Sequence, residues 1–392
     1  MRLIAAGCVV TVFLATTGYA QVRDRVPGPA PALPTAPASD GATLAAGWNA
    51  IAAGQYAAAV SSADRVLQRR PWDRAAFVLK ITALAAASPK SGLDVYERWI
   101  SGNHADDAGL LEPIAIATLQ EIAKASDPEL QRPALTALAA ARVEGAQQSL
   151  DALAAATPDG SVVRDVAAAH TGDPMAIQRL TGAASTPAGG TRFLARALAE
   201  LGSAGEPGLL MLLRSSSPEI RTMAVKALGG SKSERTRTSL QGVSTDPDPL
   251  VRLWSTVSLA RMGDERALAQ VDQMLASPAP DVQLAAARAW EGRPGPWVPI
   301  VRTLLDNQDG LTRIDAAGII APIDPEAARR ILGEALGNAN PVIRLESAKV
   351  LDSTPMPLGS LIDLSVLRQQ LRDTDPHVRL AVAGILLRLA RS

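Results

Sequence analysis

One five-residue pattern recurs through the C-terminal two-thirds of the chain: a small or acidic polar residue, usually proline, any residue, an aliphatic residue, then arginine. Four clear copies are Ser217-Pro218-Glu219-Ile220-Arg221, Asp248-Pro249-Leu250-Val251-Arg252, Asn340-Pro341-Val342-Ile343-Arg344 and Asp375-Pro376-His377-Val378-Arg379. Two degenerate copies, Ala279-Pro280-Asp281-Val282-Gln283 and Asp309-Gly310-Leu311-Thr312-Arg313, lie between them. Their last residues are spaced by 31, 31, 30, 31 and 35 positions. Such a period marks stacked supersecondary units, none of which can bury an apolar face alone. By itself it names no partner.

Each unit has a local logic. The polar residue suits an N-cap, its side chain accepting from the first free amides of a helix. Proline next to it has its φ preset and no amide to lose. On this reading Ser217, Asp248, Asn340 and Asp375 are caps. After the arginines, small or apolar residues return at +3, +4 and +7: Ala224, Val225 and Leu228, or Ala316, Ala317 and Ile320, or Ser347, Ala348 and Leu351. That spacing is one face of a helix. Aromatics make up only 3% of the chain and no stretch sustains period-two alternation. The predicted class is therefore all-α, a right-handed α-α superhelix built as a solenoid of antiparallel helix pairs, and we expect an elongated, curved particle.

The run from Leu259 through Gly263-Asp264 and Ala267-Leu268 to Leu275, then Asp281-Val282 to Trp290, resembles HEAT repeats, specifically the short HEAT-like class first described in phycobilin lyases. Fainter copies ending at Gln131, Arg164 and Arg192 carry the array backwards, so about nine helix pairs are expected over 113–392. The resemblance implies an Asp–Arg ladder between repeats. The residues six before the last position of each copy are Ser215, Asp246, Ser277, Asn307, Asn338 and Asp373. Only two of these are acidic, so a full ionic ladder is not expected. Because Arg221, Arg252, Arg313, Arg344 and Arg379 recur at the repeat period rather than clustering, they are read, with Asp248 and Asp375, as structural positions.

Residues 42–112 follow another pattern. Gly54-x-Tyr56-x-x-Ala59-Val60, then Val66-Leu67 and Pro71, resembles the second helix of a tetratricopeptide repeat, with Gly47 at that family's first small position. Gly54 should end one helix, Tyr56 should fill the angle between the pair, and Pro71 should stop the second. Pro71-Trp72-Asp73 would open a further unit with Phe77, Ile81 and Leu84 on one face.

Residues 1–20 read as a signal peptide: Arg2, an apolar run from Leu3 to Leu14, and Gly18-Tyr19-Ala20 as a small-x-small site before Gln21. Cleavage after Ala20 places the protein in the periplasm or outside the cell, with no membrane insertion afterwards. Cys8 follows Ala5-Ala6-Gly7 like a lipoprotein box, but lipidation there would leave Val9 to Phe13 on the mature chain. Residues 21–41, with prolines at 27, 29, 31, 34 and 37, read as a flexible linker.

Composition narrows the function further. The cleaved chain would hold no cysteine, hence no disulfide framework and no thiolate. The formal net charge is zero, which argues against nucleic acid as a partner. His104, His170 and His377 are the only histidines, and none sits in the His-Glu pattern of the di-iron HEAT hydroxylases. Leu228-Gly229-Gly230-Ser231-Lys232-Ser233 has a faint likeness to a phosphate loop but lacks its leading glycine and strand. Asp373-x-Asp375 lacks the glycine of a calcium loop. No catalytic, cofactor or metal site is predicted.

The sequence nominates one surface. On the second helix of each pair, positions +2 and +5 after the arginine lie off the packed stripe: Met223 and Lys226, Trp254 and Val257, Ala285 and Arg288, Asp315 and Gly318, Glu346 and Lys349, Ala381 and Gly384. In HEAT solenoids this helix lines the concave side. Trp254, Val257, Arg261, Arg288, Asp315, Glu346 and Lys349 are the candidate protein-binding residues, with Trp254 as an aromatic anchor. The expected function is a non-catalytic scaffold for an unidentified protein partner in the periplasm or cell envelope. The alternatives are a lyase-like enzyme or chaperone acting on a protein, and a purely structural repeat domain.

Overall fold

The computed structural model describes residues 39–102, 104–157, 160–186, 191–290, 295–354 and 356–391. The signal segment with Cys8 and the linker up to residue 38 lie outside the described residues. Those described are helical throughout. The N-terminal helices are α1 (Asp40–Ala52), α2 (Tyr56–Arg69), α3 (Arg74–Ala85), α4 (Pro89–Ser101) and α5 (Ala108–Ile122). The middle holds α6 (Pro128–Ala140), α7 (Ala146–Ala156), α8 (Gly160–His170), α9 (Pro174–Ala184), α10 (Arg192–Glu200), α11 (Glu206–Leu212), α12 (Pro218–Leu228) and α13 (Glu234–Val243). Next come α14 (Pro249–Arg261), α15 (Glu265–Leu275), α16 (Pro280–Ala287), α17 (Trp297–Leu304), α18 (Gly310–Ile320) and α19 (Pro325–Leu336). The last are α20 (Pro341–Ser353), α21 (Leu358–Leu361), α22 (Leu364–Gln370) and α23 (Pro376–Arg391).

The repeated turn works through two sets of hydrogen bonds. As caps, Asp248 accepts from the Leu250 and Val251 amides, Asn340 from Val342 and Asp375 from His377. Ser217 departs from expectation: its side chain makes no cap bond. The second set is present in all six copies. The side-chain oxygen six before the arginine position accepts from the backbone amide two residues on: Ser215 from Ser217, Asp246 from Asp248, Ser277 from Ala279, Asn307 from Asp309, Asn338 from Asn340 and Asp373 from Asp375. Serine, asparagine and aspartate all supply that acceptor. The position therefore needs an oxygen, and charge is optional. Where charge is present a rung forms. Arg221 donates to both oxygens of Asp246 at 2.9 and 2.8 Å, and Arg344 to both of Asp373 at 2.6 and 2.7 Å.

The arginines also bind their own repeats. Nη1 of Arg221, Arg252, Arg313 and Arg344 donates to the carbonyl six residues earlier, taking up an orphan acceptor at the end of the preceding helix. The Arg192 copy is out of register. Thr191 caps α10 by accepting from the Leu194 amide, so Arg192 is the first helical residue and pairs with Glu219 on the surface.

Near the N-terminus, Gly54 adopts φ +71° and ends α1, and α2 stops at Arg69 before Pro71. Tyr56 does not fill the angle between these helices, for it is 40% exposed. Small residues close that angle instead: Ala50, Ala59 and Ala63 pack with Leu79 and Ala83, and a Cβ on Gly47 would lie 2.4 Å from Leu79. Helices that approach so closely leave no room for a phenol ring.

The second helices line one side of the array in the order α5, α6, α8, α10, α12, α14, α16, α18, α20, α23, each packed on the next. The array does not end as an open arc. Its last helix, α23, packs along α5 and also reaches α6, so the ten inner helices close into a ring. The elongated particle expected from the sequence is corrected on this point. Helix α5 runs across the 112/113 boundary and is buried on several faces, by Leu110, Leu111, Ile114, Ala115, Leu119 and Ile122. It meets α3 and α4 on one side and α6 and α23 on the others. Helix α23 brings buried Val378, Val382, Ala383, Ile385, Leu386 and Leu387.

Charges flank this seam. Arg379 of α23 donates to Glu121 of α5 at 2.9 Å, taking up at the junction the role Arg221 and Arg344 play between repeats. Arg391 reaches Glu112 at 2.7 Å and the Ala141 carbonyl, and Arg372 reaches Asp94 at 2.8 Å. The buried Arg368 lies over the Tyr96 ring and within 3.5 Å of Glu97 and Asp106. Tyr96 donates to Asp106, and its burial pushes its hydroxyl well above the usual phenol range.

Candidate functional site

Closure turns the concave ridge into the wall of a lumen. In the helices that carry the arginine motif in register, from α12 to α23, residues two, five and nine after the arginine position point along that ridge. The structure brings these groups together. On α12, Lys226 places its ammonium 4.0 Å above the centre of the Trp254 ring on α14. Arg288 of α16 pairs with Asp315 of α18 at 3.1 Å, and Lys349 with Glu346 on α20 at 3.3 Å. Val257 is an exception. At 1% exposed it belongs to the wall, as does Ala285 at 3%, correcting the placement of both off the packed stripe. An aliphatic side chain at +5 is stabilised by packing between neighbouring helices, whereas lysine or arginine there keeps its charge in the lumen.

Sequence reasoning missed the opposite side. Asp352, six after Glu346, accepts from Arg388 of α23 and lies 3.5 Å from Arg196 of α10. Helices α10 and α20 stand five places apart among ten, so the Arg196–Asp352 contact spans the ring. Arg196 also donates to Glu200 at 2.8 Å, and Glu200 lies 3.6 Å from the His170 ring. Phase alone holds the signal for Arg388: it follows Arg379 by nine positions, as the nominated Arg261 follows Arg252. Arg196 had no such signal, since α10 carries the copy that is out of register.

The wall shifts the ionisation of several of its charged groups. Lost hydration lowers Lys226, and the neighbouring Arg288 lowers it further. Arg261 is lowered by the same two causes. Lost hydration alone would raise Glu200, but the hydrogen bonds from His170 and Arg196 outweigh it and hold the carboxyl below its ordinary range. Glu200 in turn raises His170, chiefly through their hydrogen bond.

The remaining sequence features are occupied by the protein itself. In the segment from Leu228 to Ser233, Ser231 donates to the Glu206 carboxylate at 2.9 Å, and Thr236 just beyond donates to it at 2.5 Å. An internal carboxylate thus takes the hydroxyls a phosphate would need. Asp373 and Asp375 serve their repeat turn, each accepting a backbone amide. Among the described residues no three His, Cys, Asp or Glu side chains converge as a metal would require.

Residues 206–291 match the family model described as HEAT repeats, and the chain carries HEAT repeats over that segment. No curated protein matches the chain. Among solved structures, human deoxyhypusine hydroxylase in complex with glycerol aligns at a TM-score of 0.32 and 18% identity, covering 60% of this chain and 99% of that one. At that score the likeness bears on neither site nor function.

Proposed function

We propose that the protein is an exported, non-catalytic binding ring that holds a segment of a partner protein in its lumen, in the periplasm or cell envelope. The repeats are of the short phycobilin-lyase type, and residues 42–112 form a tetratricopeptide-like extension stacked outside α5. The observation that carries this reading is the half-buried Trp254 with Lys226 poised over it, on a concave wall whose carboxylates are already paired. An aromatic anchor inside a polar rim is the arrangement that concentrates binding energy at protein interfaces. Export is supported by the N-terminal segment read from the sequence.

Replacing Trp254 by alanine should leave the helical signal and melting temperature nearly unchanged. Partner binding should weaken by about 2 kcal/mol, roughly thirty-fold. Crosslinked affinity capture from an envelope extract, run in parallel with wild type and variant, checks this. A partner recovered equally by both would exclude the lumen as the binding surface.

A further inference from the structure

We infer that the lumen sector between α12 and α18 selects an acidic, extended segment, seating a carboxylate on Lys226 and a neighbouring apolar side chain on Trp254. This rests on the lumen being the binding surface and adds the chemistry of what enters it.

The argument begins with a charge count. The carboxylates on the ridge are Glu200, Asp315, Glu346 and Asp352. Each already has a cation: Arg196 for Glu200, Arg288 for Asp315, Lys349 for Glu346, and both Arg196 and Arg388 for Asp352. An incoming lysine or arginine would therefore meet only carboxylates whose charge is already matched. An incoming carboxylate faces the opposite situation. Lys226 forms no ion pair with a carboxylate among the described residues, and its charge rests on an aromatic face.

Its surroundings sharpen the preference. Arg288, the next cation along the wall, acts on Lys226 more strongly than Asp315 or Glu346 does. A carboxylate arriving there gives the ammonium a charge-assisted hydrogen bond. Trp254 is only half-buried, so its accessible part can meet an apolar side chain next to that carboxylate. The strut from Arg196 to Asp352 limits what passes, since a ring bridged across its middle admits an extended chain more readily than a folded domain or a duplex.

The test uses two fluorescein-labelled peptides, one alternating glutamate and glycine around a central leucine, the other with lysine in place of each glutamate. Anisotropy with the full-length mature protein should show binding of the glutamate peptide, weakening with added salt, and much less binding of the lysine peptide. Lys226→Gln, on an exposed side chain, should weaken the glutamate peptide about tenfold. Preference for the lysine peptide, with that binding lost in Trp254→Ala, would overturn acidic selection while leaving the lumen as the binding surface. Glutamate-peptide binding indifferent to both substitutions would place it outside the lumen and overturn both readings. Failure of the glutamate peptide to bind at millimolar concentration would also sink the assignment. A single-stranded oligonucleotide that binds more tightly and displaces the glutamate peptide would reassign the sector to nucleic acid.

Discussion

Truncation after Asp375, which removes α23, should open the ring. The deletion takes away sixteen residues of helix, so circular dichroism should fall only in proportion. The change in shape should be far larger. Helix α5 would lose the face it packs on α23, and α20 would lose one of its neighbours. Burying one aliphatic side chain is worth about 1.5–3 kcal/mol. Val378, Val382, Ile385 and Leu386 are all fully buried on α23, so the seam holds on the order of 8 kcal/mol before ordering costs. Small-angle scattering should therefore show a larger radius of gyration than the intact protein, together with binding of a hydrophobic dye. An unchanged radius would mean that α23 does not hold the ring shut. The pairs Arg379–Glu121, Arg391–Glu112 and Arg372–Asp94 are largely exposed, and pairs of that kind contribute about 0–1 kcal/mol each. Raising the salt concentration should accordingly leave the intact ring closed.

The ladder offers the second large effect, because its rungs differ. Arg344→Ala leaves the Asp373 carboxylate, only 2% exposed, with its bidentate partner gone. Removing one member of a buried pair costs about 3–5 kcal/mol. Arg252→Ala should cost only about 1 kcal/mol, since Arg252 donates to the Asp246 and Pro247 carbonyls near solvent and forms no such rung. Denaturant unfolding of both variants checks the contrast, and equal losses would refute the distinction. The sign of the pH dependence follows. Burial alone would raise Asp373, but the hydrogen bonds from Arg344 and the Asp375 amide outweigh it and hold it below its ordinary value of 3.8. Its contribution is thus complete above that value and is lost as pH falls below it, through the lowered native value. In Arg344→Ala this acid-dependent component should shrink.

The contrast between rungs explains what was legible. The sequence showed only two acids among six positions, and two bidentate rungs are what form. What those six positions share, an oxygen accepting the amide two residues on, was hidden because serine, asparagine and aspartate do not look alike as letters. Tyr56 and Val257 were misplaced for a related reason. Helical phase gives a side chain's direction but not how near the neighbouring helix stands, and small residues such as Gly47 and Ala59 bring that neighbour in closely. The apolar residues around α5 were the available sign that it is covered on more than one side.

The sequence by itself determined the repeat, its period, the helices it cuts, most of their caps and the ridge that carries Trp254. Those properties depend on residues within one unit or its nearest neighbour. Tertiary structure alone decided that the ridge faces inward upon itself, with Arg196 meeting Asp352 across the ring and Arg379 finding Glu121 across the seam. Whether an array stays open or closes depends on small rotations between successive pairs accumulating to a full turn. No single repeat records that sum.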